Sequence, residues 1–313
     1  MGNPSFSRIL QTLRPDLVIY DYFRPRPSTA DALEYKIPAV EFLTSGAAPL
    51  SYVYHMFNKP DVEFPFPELP SSLSFKELEG KYIDYLPTVT MKKTIAIGPL
   101  VQQNVDGDKN LEILQWLGTK DELSTVFVSF GSESFLSKEE REEIAHGLEL
   151  SGVNFVWIVR FPTGERIVVE EALPVGFLKR IEERGMVVDG WAPQAQILAH
   201  SSIGGFVSHC GWNSILESLN FGVPIIAVPM NNDQPVNAKL VEEVGVGLEV
   251  RRNDQNKRID RDNIAQVIKK VVKDESGVDV RMKAREFSEI IRMKGERDID
   301  GLVDELVQLC NEG

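Results

Sequence analysis

Along this chain, short runs of consecutive apolar residues alternate with stretches in which apolar residues recur every three or four positions. The runs fall at 16–20 (DLVIY), 39–43 (AVEFL), 94–97 (TIAI), 125–129 (TVFVS), 154–160 (NFVWIVR), 186–188 (MVV), 206–208 (FVS), 224–228 (PIIAV) and 247–250 (GLEV). Each is too short for a helix and predicts a buried strand. The periodic stretches predict helices over 6–13, 29–35, 195–200, 213–220, 237–244 and 261–272. Ser137, with Glu140 three residues on, makes a capping box and predicts another helix start. An amphipathic stretch at 298–309 predicts a last helix packed back on the body. Strands alternating with helices imply α/β architecture, with parallel sheets covered on both faces and ligands at the carboxyl ends of strands. Ser132, Trp191, His209 and Met230 each follow a predicted strand, so their loops can converge on one crevice.

Two polar tracts interrupt the pattern. Residues 58–72 (NKPDVEFPFPELPSS) read as a loop, and 102–110 (QQNVDGDKN) as a linker. The chain thus divides into a first domain at 1–101, the linker at 102–110, a second domain at 111–290 and a terminal helical segment at 291–313. A length of 313 residues allows two domains with sizeable cores. The net charge of −13 argues against nucleic acid as a main partner, because phosphate backbones need clustered Lys and Arg. It leaves room for a small anion held by local donors. Two cysteines, Cys210 and Cys310, make no disulfide framework, and a reducing, cytoplasmic compartment fits. No apolar run is long enough to span a bilayer, so no membrane is expected.

The chemistry concentrates in residues 191–234 (WAPQAQILAHSSIGGFVSHCGWNSILESLNFGVPIIAVPMNNDQ). There a strand ends in a turn with Gly211 and opens a helix. A helix start carries unpaired N–H groups and partial positive charge, and glycine admits a ligand close to the backbone. His209, Asn213 and Ser214 cluster at that point, which suggests a phosphate site. Taken singly, Trp191 reads as a core or surface aromatic and His209 as a structural histidine. Their joint spacing gives them a common purpose. The acidic pairs Asp260/Asp262 and Asp298/Asp300 sit at predicted helix starts and read as caps rather than metal ligands. His55 and His200 lack metal-ligand companions, and His146 lies on a helix. No G-x-G-x-x-G surrounds Gly131, Gly204-Gly205 or Gly245, which weighs against a dinucleotide-dependent oxidoreductase.

With WAPQ, HCGWNS, ESL, FGVPII and DQ at matching spacings, residues 191–234 resemble the signature of the plant family 1 UDP-sugar glycosyltransferases. SFGS at 129–132 and IGPL at 97–100 fit as well, and KELEGKY at 76–82 resembles the branch-forming subgroup, which adds a sugar to a sugar already on a plant metabolite. The resemblance implies a GT-B fold of two Rossmann-like domains, the N-terminal one incomplete. It implies inverting transfer from a UDP-sugar, with Gln234 favouring glucose, to a small acceptor such as a flavonoid, a terpenoid or their glycosides. It also implies the roles of single residues. Trp191 stacks on uracil, Ala192 and Gln194 serve the base and ribose, and Glu217 accepts from the ribose hydroxyls. His209, Asn213 and Ser214, with Ser132 opposite, hold the diphosphate, Gly131 and Gly211 belong to the same UDP-sugar site, and Trp212, Asp233 and Gln234 face the sugar. No metal or other cofactor is implied, since protein donors take the developing charge.

The family's general base is a histidine oriented by an aspartate. Asp21 matches the aspartate, but none of the four histidines stands where the base belongs. The resemblance places that histidine on first strands absent from this sequence, on the order of 100 residues. A second shortfall lies near Pro70, and Arg26 stands where an aromatic is common in the acceptor region. The expectation is a chain that binds a UDP-sugar and transfers poorly unless a separate polypeptide supplies the missing segment. The alternative is a non-catalytic UDP-sugar-binding fragment or one half of a split enzyme.

Overall fold

Two parallel sheets organise the chain, and the apolar runs supply both. The computed structural model describes residues 4–21, 32, 34–66, 79–97, 111–132, 134–162, 164, 167–253 and 256–312. In the first sheet, β1 (Val18–Asp21) pairs with β2 (Ala39–Phe42) in register Val18 to Ala39. In the second, β3 (Thr125–Ser129), β4 (Asn154–Val159), β5 (Gly185–Asp189), β6 (Ile203–Ser208), β7 (Ile225–Ala227) and β8 (Gly247–Glu249) lie in the order β5-β4-β3-β6-β7-β8.

Every residue of β3 is buried, because helices cover both faces of this sheet. Successive side chains point to opposite faces. Val126 and Val128 therefore join one core with Phe155, Trp157 and Ile268, while Phe127 joins another with Val156, Phe206 and Ile197. The Phe127 and Phe206 rings stack with centroids 5.0 Å apart.

The helices before the second sheet are α1 (Pro4–Leu13), α2 (Ala47–Asn58), α3 (Gly80–Thr90) and α4 (Leu111–Leu117). Within and after it come α5 (Lys138–Ser151), α6 (Val169–Ala172), α7 (Phe177–Ile181), α8 (Gln194–Leu198), α9 (Trp212–Asn220), α10 (Gln234–Glu243), α11 (Arg261–Val272) and α12 (Val278–Glu312). The capping box at α5 is formed: Glu140 N–H donates to Ser137 Oγ at 3.2 Å and Ser137 N–H to Glu140 Oε2 at 2.9 Å. Asp260 caps α11, accepting from the amides of Asp262 and Asn263, each at 3.1 Å. Arg261 then grips Glu143 and ties α11 to α5.

Two expectations need correction, and two helices were not foreseen. Residues 94–97 form no strand; Thr94, Ile95, Ala96 and Ile97 line a cavity, and none of them is buried. The helix predicted at 298–309 is the end of α12, which runs unbroken from Val278, so Asp298 and Asp300 start no helix. Helices α2 and α3 lie outside the predicted elements: Tyr82, Ile83, Leu86 and Val89 recur at helical spacing in α3, but Pro87 interrupts the stretch. They form because Ala47, Ala48 and Leu50 bury against Tyr82 and Leu86. Several expectations fall on residues outside those described: the linker at 102–110, Arg26, Pro70, residues 76–78 of the KELEGKY stretch, and most of the helix predicted at 29–35. α12 packs back on α9, where Ser288 Oγ donates to the Asn220 carbonyl at 2.7 Å, and its far end meets Lys93 through Glu305. Among the described residues, no helix is long and apolar enough to cross a membrane.

The register of β3 on β6 shifts between Thr125 and Val126, and Gly204 sits at that shift. A Cβ there would lie 2.1 Å from the Leu123 carbonyl oxygen. Gly204→Ala should therefore lower the unfolding free energy by about 3 kcal/mol, the upper range for overpacking. Urea titration measures this, and a loss below about 1 kcal/mol would contradict so tight a fit.

Candidate active site

The order of the second sheet reverses between β3 and β6. From β3 the chain builds outward through β4 and β5, and from β6 through β7 and β8. Such a switch point opens a crevice beyond the carboxyl ends of the strands. Two loops leave it side by side. After β3, Gly131 adopts φ +76°, and a Cβ there would stand 2.7 Å from His209 Nε2. After β6 come His209, Cys210 and Gly211, and a Cβ on Gly211 would meet the same Nε2 at 2.6 Å. The imidazole thus occupies a slot between two glycine backbones.

Between them Cys210 turns the chain in the left-handed region, at φ +65°. For a non-glycine residue this costs roughly 1–2 kcal/mol. Two bonds hold it there: Cys210 N–H donates to Ser208 Oγ at 3.1 Å, and Asn237 Nδ2 donates to the Cys210 carbonyl at 3.0 Å. The turn sets Gly211 as the N-cap of α9, with no side chain capping the first amides. Those N–H groups and the helix dipole make the crevice end of α9 attractive to an anion.

His209 is 9% exposed, and its Nδ1 is buried without a hydrogen-bond partner. Burial holds its pKa down to about 4, against the opposing pull of Asp233. The ring is therefore neutral at pH 7 and has one N–H to offer. Along the crevice, Gln194 at the start of α8 donates from Nε2 to Glu217 Oε2 at 2.6 Å and approaches Ser214 Oγ at 3.4 Å. Burial raises the Glu217 carboxyl above its ordinary value, with the Gln194 bond opposing. Ala192 is packed in the core, whereas Trp191, just past β5, is 56% exposed. Ser132 and Asn213 are exposed as well.

On the far side of α9, the site meets the first sheet. Ser45 Oγ donates to Asp233 Oδ2 at 2.6 Å, and Asn237 Nδ2 donates to the same oxygen at 3.1 Å. Gln234 is buried, and its Oε1 accepts from the amides of Met230 and Asn231 at 3.0 and 2.8 Å. That oxygen is committed to shaping the loop after β7. A cavity of about 270 Å³ lies along this seam, walled by Leu43, Ile83, Ile95, Trp212 and Leu216, with Glu79 among its polar groups.

The structure thus gathers Gly131, His209 and Gly211 at one end of α9 and joins Gln194, Ser214 and Glu217 along it. Trp212 and Asp233 face the seam. Asp21 ends β1, on the other sheet, and is exposed. Among the described residues, no group of three or more His, Cys, Asp or Glu could hold a metal ion. The sequence reading missed Asn237, Ser45 and Glu79. Asn237 lies one helical turn beyond Asp233 and could have been found by that spacing. The other two act across long separations: 188 residues part Ser45 from Asp233, and 31 part Glu79 from Ala48.

An α/β protein with a switch-point crevice, an uncapped helix start and a neutral buried imidazole has the features of a nucleotide-binding protein. The model of the family described as UDP-glucoronosyl and UDP-glucosyl transferase matches residues 75–290. The chain is 50% identical to a mogroside IIIx synthase of Siraitia grosvenorii, across 98% of this chain and 73% of that protein. It is 45% identical to a beta-D-glucosyl crocetin beta-1,6-glucosyltransferase of Gardenia jasminoides, across 99% and 79%. The alignment with the first spans 349 positions, more than the 313 residues here, so it contains gaps on this chain's side. Among solved structures, UGT2 of Phytolacca americana complexed with UDP-2fluoro-glucose and pterostilbene superposes with a TM-score of 0.83, at 28% identity, across 97% of this chain and 80% of that one. The chain belongs to the UDP-glycosyltransferase family and has its GT-B fold.

Two titrations check the electrostatics. By proton NMR, the His209 ring resonances should stay unmoved between pH 8 and 5.5, and a midpoint above 6 would contradict the buried slot. Glu79 is 5% exposed, and burial lifts its pKa to about 7 from an ordinary 4.5, against two bonds from the α2 amides. The folded state then keeps a proton that the unfolded state gives up between pH 4.5 and 7, so stability should fall as pH rises through that window. Glu79→Gln should flatten that part of the profile of Tm against pH; an unchanged slope would contradict the assignment.

Proposed function

We propose that the crevice binds UDP-glucose and that the seam cavity receives the apolar part of a plant metabolite glycoside, whose sugar hydroxyl accepts the glucosyl group. The observation that carries this reading is α9, which presents its uncapped start and His209 at one end and the Glu217–Gln194 pair one and a half turns along. A diphosphate and a ribose are separated in the same order. The glycoside acceptor is supported by the glucosylated crocetin that names one relative's substrate.

On this reading uracil stacks on Trp191, and Glu217 exchanges its bond from Gln194 for the ribose hydroxyls. Ser132, His209, Asn213, Ser214 and the α9 amides take the diphosphate. Trp212, Asp233 and Gln234 meet the glucose. The acceptor oxygen attacks the anomeric carbon from the face opposite UDP, the bond to the diphosphate oxygen breaks, and configuration inverts. Negative charge builds on the departing diphosphate, where each well-aimed donor contributes about 3 kcal/mol to the transition state. The reading assigns that charge to protein donors and to no metal.

The acceptor proton needs a base, and the chain's histidines are otherwise engaged. His55 bonds Tyr85 OH and the Val62 carbonyl, each at 2.7 Å; His200 bonds Ser202 Oγ at 2.9 Å; His146 lies 3.7 Å from Glu149. His209 belongs to the donor site. We therefore assign proton removal to a group outside these 313 residues, with Asp21 as its orienting carboxylate. The same observation favours a second reading, in which this polypeptide binds the donor without turning it over until a separate polypeptide supplies that group.

UDP should raise the Tm of the purified chain while NAD leaves it unchanged. Trp191→Ala should weaken UDP binding about tenfold, in line with roughly 1–3 kcal/mol for base stacking. Transfer from UDP-glucose to a flavonoid glucoside by the chain alone should be slow, and robust turnover without added polypeptide would contradict the placement of the base.

A further inference from the structure

Glu79 lies just before α3, and its carboxyl group accepts the Ala48 N–H at 2.8 Å and the Ala47 N–H as well. These are the first amides of α2, whose N-cap Gly46 offers no side chain to bond them. A distant segment thus caps the helix. The fit around Gly46 is close: a Cβ there would stand 2.7 Å from Glu79 Oε1 and 3.1 Å from Trp212 Cε3. One residue earlier, Ser45 donates its hydroxyl to Asp233. Behind them Val236 of α10 packs among Ala47, Ala48 and Tyr82. Carboxyl, turn and indole are therefore layered across the seam between the first sheet's helices and the crevice.

We infer that Glu79 is a positioning residue of the donor-sugar site: by holding residues 45–48 against Trp212, it sets the Ser45 hydroxyl on Asp233 and so orients that carboxylate toward the sugar. The inference rests on the donor reading above and extends it to a residue far from the 191–234 segment. A plain helix cap would stabilise α2 and leave ligand selectivity alone. A positioning residue acts on the sugar and spares the nucleotide, because uracil, ribose and diphosphate are held by residues that Glu79 does not touch.

Calorimetry on the full 313-residue chain with UDP and with UDP-glucose separates these roles. Glu79→Ala should leave UDP affinity within about twofold of wild type and weaken UDP-glucose about tenfold. Glu79→Gln keeps an acceptor oxygen for the α2 amides and should restore UDP-glucose binding. Ser45→Ala leaves the helix cap intact, cuts the same link and should reproduce the selective loss, which keeps the test open even where Glu79→Ala fails to fold. Equal loss of both ligands in Glu79→Ala, or unchanged UDP-glucose affinity in Ser45→Ala, would overturn the inference. A wild-type chain that bound neither ligand would overturn the donor reading itself, and the two failures are told apart by the UDP arm.

Discussion

The slot that holds His209 is the constraint from which the crevice follows. Two strands adjacent in the sheet, β3 and β6, end level with each other and release loops that pass on either side of one imidazole. No side chain fits at Gly131 or Gly211, because the ring already occupies the place of a Cβ. Cys210 has to turn left-handed to bring the second glycine back over the ring, and that costs free energy. Ser208 and Asn237 hold the turn, and α9 starts where it does because of it.

The same packing decides the charge state of the site. His209 and Glu79 are buried and Glu217 is half-buried, and desolvation pushes each toward its neutral form. At the start of α9 the site presents oriented dipoles and a neutral imidazole. It suits a ligand that brings its own negative charge, since the α9 amides and neutral donors meet it without a counter-ion to displace. An acidic chain of net charge −13 can bind a nucleotide diphosphate for this reason: the field that matters is set within a few ångströms of the helix start.

Much of this was legible in the sequence, for a physical reason. Residues 191–234 are one continuous supersecondary unit, so strand, turn and helix start can be read from local order alone, and His209, Gly211 and Glu217 lie where that order puts them. The alternation of strands and helices likewise predicts the second sheet, and the Ser137 and Asp260 caps form as their spacing requires. What stayed hidden depends on contacts between distant segments. α2 and α3 pack against each other, and Pro87 argues against α3 when read alone although Tyr82, Leu86 and Val89 stand at helical spacing. The apolar run at 94–97 reads as a strand but lines the cavity it shares with Trp212 and Leu216. Glu79 is an acid in a polar stretch until the fold places it against the amides of α2.

The central claim is that one crevice, at the switch between β3 and β6, holds the whole nucleotide along α9. A crystal structure of the chain soaked with UDP tests it directly. The account predicts uracil on the face of Trp191, the ribose hydroxyls on Glu217, and diphosphate oxygens within hydrogen-bond distance of His209 Nε2 and the first amides of α9. A diphosphate bound away from His209, or uracil away from Trp191, would contradict it.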